Sequence, residues 1–132
     1  MGSLAIFHEH TARWFADAIG KPTAVQAAAW PAIASGSHTL VSAPTGTGKT
    51  LSAFLVFIDR LMSMAREGTL QPELYLIYVS PLKSLAGDIR ENLRRPLEGI
   101  LRQQEMCETP ILSGQPTPAL NVAVRTGDTP QR

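Results

Sequence analysis

Apolar residues run along this chain in two rhythms, a helical one and a nearly continuous one. Over residues 7–19, Ala12, Trp14, Phe15, Ala18 and Ile19 predict a short amphipathic helix stopped by Gly20. Thr23 opens a second predicted helix with Val25, Ala28, Ala29, Ala32 and Ile33 on one face; Pro31 should kink it or mark its final turn. Ser35-Gly36-Ser37 reads as a turn, residues 38–43 as a short strand, and residues 44–48 as a Gly-rich loop. Residues 49–67 carry a strong helical stripe of Leu51, Phe54, Leu55, Ile58, Leu61, Met62 and Ala65, closed by Gly68. Residues 74–80 (LYLIYVS) are nearly all apolar, as a buried parallel strand should be. Leu82, Leu85, Ala86, Ile89 and Leu93 trace another helical stripe. Pro96 should interrupt it, with a further helix running to about residue 104. Residues 105–118 hold three prolines and read as a loop, and residues 120–125 (LNVAVR) read as a third strand.

Strands alternating with helices predict an α/β fold, a parallel sheet with right-handed crossovers and flanking helices. With 132 residues there is room for one domain. A sheet of three strands would leave an exposed edge, and the chain looks cut short because little follows the last strand. The 44% apolar and 17% charged composition is that of a globular protein, not of a disordered or collagen-like one. A net charge of +1 neither demands nor excludes a nucleic-acid partner. Nine of the 12 basic residues are Arg, which suits bidentate phosphate contacts, although coding bias gives the same excess. Cys107 is the only cysteine, so no internal disulfide forms and a reducing, cytoplasmic setting is expected. No apolar run approaches the ~18 residues of a membrane span, and no signal peptide is expected.

The sharpest chemical signal is Ala43-Pro44-Thr45-Gly46-Thr47-Gly48-Lys49-Thr50, placed between a predicted strand and a predicted helix. That is the setting of a P-loop. Glycines let the backbone wrap a phosphate with successive N–H groups pointing inward, and the helix start adds donors and a positive dipole end. Lys49 would reach the β and γ phosphates, and the Thr50 hydroxyl would ligate Mg²⁺. Ala43 stands where the general pattern has its first Gly. His8, His10 and His38 have no Cys or acidic partner at ligand spacing, so surface or core roles are expected. Cys107 falls in a predicted loop without catalytic context.

The AxTGxGKT pattern resembles motif I of superfamily 2 helicases. Residues 20–26, ending in Pro22-Thr23-Ala24-Val25-Gln26, look like the end of a Q motif. Residues 79–86 (VSPLKSLA) look like motif Ia, and residues 124–130 (VRTGDTP) like the Thr-Gly-Asp segment. In this order the segments are most similar to the Lhr (large helicase-related) family of DEAD/DEAH-type helicases, over nearly all of residues 1–132. The resemblance implies a partial RecA-like domain that binds ATP and Mg²⁺ and drives translocation or unwinding on DNA or RNA. No D-E-x-H or D-E-x-D tetrad occurs in the sequence. The chain is therefore expected to stop before the DExH box and to lack the second RecA-like domain. Alone it should not turn over ATP usefully.

The same resemblance implies roles for individual residues. Thr45, Gly46, Thr47, Gly48, Lys49 and Thr50 would hold the phosphates, with Lys49 and Thr50 the catalytic contributors. Gln26 would read the adenine edge, and an amide can pair with N6 and N7 of adenine. Thr23-x-x-Gln26 is equally a helix capping box, and both readings stay open. Phe7, Trp14 and Phe15 are candidates for stacking on adenine, with core packing the better explanation for Trp14 and Phe15. Pro81, Lys83 and Ser84 would touch a nucleic-acid backbone, as would Thr126, Gly127 and Thr129; Asp128 is expected to cap a turn. Arg90, Arg94 and Arg95 lie off the apolar stripe and read as a solvated face or as phosphate partners. A small stand-alone P-loop kinase or NTPase, or a non-catalytic binding module, are the rival readings.

Overall fold

The computed structural model describes residues 2–80, 86–107, 120–123, 125–127 and 129–130, with backbone only for residues 86–88. Among them the regular elements are a 3-10 turn (Ser3–Ile6) and helices α1 (Glu9–Ala18), α2 (Ala24–Ala34), α3 (Lys49–Arg66) and α4 (Ala86–Cys107). Each start has a local cause. His8 caps α1 by accepting the His10 N–H on its ring nitrogen. Thr23 and Gln26 form both halves of a capping box on α2. Gly48, at φ +81°, turns the chain into α3 through left-handed backbone that a side chain resists.

Helix α2 packs on α3, α1 on α4, and α4 also meets α3. The core is the stripe common to these faces: Trp14, Phe15, Trp30, Phe54, Leu55, Ile58, Met62 and Ile100. The Trp30 indole is fully buried and meets Phe7 edge-on at 4.9 Å and Phe15 edge-on at 5.4 Å. Aromatic pairs of this geometry contribute about 0.5–1.5 kcal/mol each beyond the area they bury. The N-terminal segment is also tied down by the His8 backbone N–H, which donates to Asp59 Oδ1 of α3 at 3.1 Å.

The predicted parallel sheet is not formed among the described residues. Residues 38–43, 74–80 and 120–123 carry no strand. A strand is defined by a partner, and here Leu40 is 93% and Val79 84% exposed. Their apolar pattern expresses a tendency to be buried that no neighbouring strand satisfies. Pro96 does not break α4, which runs continuously to Cys107. Proline removes one helical donor, opposite the carbonyl of Asn92, and Asn92 is exposed, so water can take that acceptor. Cys107 is accordingly a helical residue rather than a loop residue. Helix α2 buries Gln26, Ala29 and Trp30, a face rotated from the predicted one, and Ala28 is exposed. Alanine on nearly every side of this helix gives the pattern little power to choose a face, and the large indole chooses it instead. Pro31 lies inside α2, in its last turn. Ala18 and Ile19 of the α1 stripe are exposed.

Where α1 crosses α4, the Trp14 indole lies directly against Gly99, so a Cβ added at Gly99 would run into its nitrogen. In an open helix, Gly→Ala stabilises by roughly 0.8–1 kcal/mol. Here the sign should reverse, because the nearly buried indole must move. Gly99→Ala is expected to lower stability by about 1–3 kcal/mol in urea unfolding.

Candidate nucleotide site

The loop from Pro44 to Gly48 owes its shape to two left-handed glycines, Gly46 and Gly48, both at φ +81°. Thr47 braces it by donating its hydroxyl to the Pro44 carbonyl at 2.7 Å. Lys49 folds back along the loop and donates its ammonium to the Ala43 carbonyl. The first N–H groups of α3, beginning at Lys49, have no helical acceptor and sit at the positive end of the helix dipole. Thr45, Gly46 and Thr50 are exposed, while Thr47, Gly48 and Lys49 are half-buried. Unpaired backbone donors at a helix start with an ammonium beside them are the elements from which anion sites are built.

The loop is also fastened from behind by α2. The Thr23 hydroxyl donates to the Thr47 carbonyl at 2.9 Å and accepts the Gln26 N–H at 3.2 Å. Gln26 Oε1 accepts the Thr23 N–H at 2.9 Å, and Gln26 Nε2 reaches the Gly48 carbonyl at 3.5 Å. That carbonyl also accepts from the Ser52 N–H and the Ser52 hydroxyl, each at 2.9 Å. Ser52 is fully buried and Gln26 is 2% exposed. The sequence reading did not single out Ser52; a small polar residue four positions after a loop carbonyl was the available signal. The helix cap and the phosphate loop are thus one hydrogen-bonded unit.

The other predicted residues fare unevenly. Pro81, Lys83, Ser84 and Asp128 lie outside the described residues. Thr126, Gly127 and Thr129 are described, in a turn where Thr129 Oγ1 accepts the Thr126 N–H at 2.9 Å and the Thr129 N–H returns to the Thr126 carbonyl at 3.0 Å. Phe7, Trp14 and Phe15 all belong to the buried core, which corrects their candidacy as adenine platforms: Phe7 and Phe15 each meet Trp30 in a T-shaped contact, and Trp14 meets Phe15. A cavity of about 1030 Å³ is bordered by α3, residues 70–80, α4 and residues 120–123 and 125–127, including Phe54, Leu76, Tyr78 and Leu93. No residue of the phosphate loop lines it, so it is a gap beside the apolar face of α3 rather than the nucleotide site. Glu9 gives His8 and His10 the acidic neighbour that the sequence reading denied them, the three groups lying within 4.8 Å of one another. The His8 ring is used there as a helix cap. Arg13 donates to Cys107 Sγ at 2.9 Å across the α1–α4 contact.

This loop and its helix define the P-loop class of nucleotide-binding proteins. The sequence profile of the DEAD/DEAH box helicases matches residues 23–122. The Lhr helicase/probable uracil glycosylase of Mycolicibacterium smegmatis is 50% identical over 127 residues, covering 96% of this chain and 8% of that protein. The ATP-dependent helicase Lhr-Core protein 2 of Thermococcus barophilus is 44% identical over 116 residues, covering 88% of this chain and 13% of that protein. The solved structure of Mycobacterium smegmatis helicase Lhr bound to ssDNA and AMP-PNP superposes with a TM-score of 0.80 at 47% identity, over 98% of this chain and 15% of that one. The chain belongs to the DEAD/DEAH box helicase family and is similar to its Lhr members. It spans only about a tenth of the length of these relatives. None of its described helices is long and apolar enough to cross a membrane.

Arg94 on α4 is exposed and pairs within its own helix. It bonds Glu91 at 3.0 Å and Glu98 at 3.2 Å within its own helix. Hydrogen bonding to Arg94, reinforced by its charge, holds the Glu91 carboxyl below its ordinary value. A depressed carboxylate contributes fully above the ordinary carboxylate range and loses its contribution as pH falls through its lower folded value. Carboxyl-detected NMR titration should therefore place Glu91 below a normal glutamate, and Arg94→Ala should return it upward.

Proposed function

We propose that this chain is the ATP-binding portion of an ATP-dependent helicase that couples hydrolysis to movement on DNA or RNA. The observation that carries the reading is the Ala43–Thr50 loop, seated at the start of α3 and fastened by α2. Residues 45–50 would cradle the phosphates by backbone donation, and Lys49 would leave the Ala43 carbonyl for the β and γ phosphates. The exposed Thr50 hydroxyl, one residue into α3, fits an Mg²⁺ shared with the phosphates. When bound, that ion would neutralise phosphate charge. The chain supplies cradle, ammonium and one metal ligand; the DExH acids and the second RecA-like domain are expected from the rest of a full-length protein. The rival of a stand-alone P-loop kinase gains nothing from the family match.

Lys49→Ala should weaken ADP and ATP binding in calorimetry while leaving the thermal unfolding midpoint near wild type, because the ammonium serves a loop carbonyl rather than the core. Phosphate release by this chain with single-stranded DNA or RNA should stay well below the ~1 s⁻¹ of working enzymes, the missing arginine fingers alone being worth about 10³–10⁵ in rate. Equal affinities in the two proteins, or Lys49-dependent turnover above that rate, would sink the reading.

Nucleic-acid contact is proposed to run through Lys83, Ser84, Thr126, Gly127 and Thr129, with Pro81 shaping the turn. Contacts of this kind address the backbone, which carries no base information. The expected binding to single strands is insensitive to sequence, with a log–log salt slope of about 0.7 per phosphate neutralised. Fluorescence anisotropy with homopolymer strands across a salt series reads both quantities.

A further inference from the structure

We propose that His8, Glu9 and His10, at the start of α1, form a binding site for one late first-row divalent cation of the Zn²⁺ class. The site is separate from the phosphate loop and does not depend on how that loop is read. Its ground is the placement of three ligand atoms: two ring nitrogens and a carboxylate oxygen lie within 4.8 Å of one another. Bonds to such an ion run to about 2.0–2.2 Å, so ligand atoms on opposite sides of it stand about 4.2 Å apart and neighbouring ones closer. Side-chain rotations that move each ligand atom by under about 1 Å close the set. Two imidazoles with one carboxylate suit Zn²⁺, Ni²⁺ or Cu²⁺ rather than Ca²⁺ or Mg²⁺, which take oxygen ligands.

The three residues are consecutive, but the fold holds them. Phe7, just before them, belongs to the core, and the His8 backbone N–H is tied to Asp59 of α3 at 3.1 Å. The two imidazoles lie 4.7 Å apart, tilted by 50°. His10 is 6% exposed, His8 half-buried and Glu9 exposed, so an ion here has protein on one side and water on the other. The positive end of the α1 dipole opposes a cation, and the Glu9 and Asp59 carboxylates offset it. Arg13, the one basic side chain of α1 besides histidine, donates instead to Cys107 on α4. At present His8 Nδ1 accepts the His10 N–H at 3.3 Å, a long hydrogen bond. A cation on Nδ1 takes the place of that donor. A cation on Nε2 moves the ring proton to Nδ1 and breaks the same bond. The ion therefore substitutes for the cap of α1, and three protein ligands leave its remaining positions to water.

The test is calorimetric titration of the untagged chain with Zn²⁺ alone, in the absence of nucleotide. One ion per chain should bind, and the thermal unfolding midpoint should rise with Zn²⁺ and fall back on adding EDTA. His8→Asn removes the imidazole but keeps a side-chain oxygen for the helix cap, so its midpoint in EDTA should stay near wild type. Glu9→Gln changes an exposed side chain and removes one charge. Each substitution should weaken Zn²⁺ by about tenfold or more, whereas Cys107→Ser should leave the affinity within about twofold. A second readout needs no variant to fold: in NMR spectra of the wild type, the His8 and His10 ring resonances should move with added Zn²⁺, and those of the exposed His38 should stay in place. A wild type that binds no Zn²⁺ overturns the proposal. So does an affinity unchanged in His8→Asn or Glu9→Gln, an affinity lost in Cys107→Ser, or a titration in which the His8 and His10 rings do not respond.

Discussion

The burial of Trp30 is the contact from which the other placements follow. Its indole is fully buried between the edges of Phe7 and Phe15, so one side chain joins the N-terminal segment, α1 and α2. Deleting such a ring typically costs about 3–5 kcal/mol, a large fraction of a small domain's stability. Because Trp30 faces the core, Gln26, one helical turn earlier, faces it too. The N-terminus of α2 is thereby delivered to the back of the phosphate loop, against α3.

That delivery explains how a loop with two left-handed glycines keeps a defined shape. Glycine lowers the strain of the turn but offers no side chain to hold it. The restraint comes from neighbours: Thr23 on the Thr47 carbonyl, and Ser52 and Gln26 on the Gly48 carbonyl. These bonds use loop carbonyls. They leave the first N–H groups of α3 without a helical acceptor.

The apolar segments tell the opposite story. Leu40, Leu74, Ile77 and Val79 are exposed although their sequences read as strand. The chain spans about a tenth of its relatives' length, and a parallel strand is completed by neighbours distant in sequence. Exposed apolar chain of this kind favours association, so the same surface that marks the segments as core material makes them the vulnerable part of the molecule.

Much was legible in the sequence because it rests on local rules. The stripe of α3, the capping box at Thr23 and Gln26, and the Gly-Lys-Thr turn into a helix depend on residues within a few positions of one another, and the structure carries all three. Family membership was legible for the same reason, as short motifs in a set order. Tertiary structure decided what depends on distant partners. It rotated α2 to bury Trp30, because an Ala-rich helix has no preferred face until a large ring finds its pocket. It carried α4 through Pro96, because Ile100 is buried in the core and the Trp14 indole packs at Gly99, contacts that hold the helix beyond the proline. It left residues 38–43 and 74–80 without strand structure, because apolar alternation states a need for burial and only a paired neighbour can meet it. And it brought the Gln26 amide nitrogen to the Gly48 carbonyl, a contact set by the position of a loop more than twenty residues away.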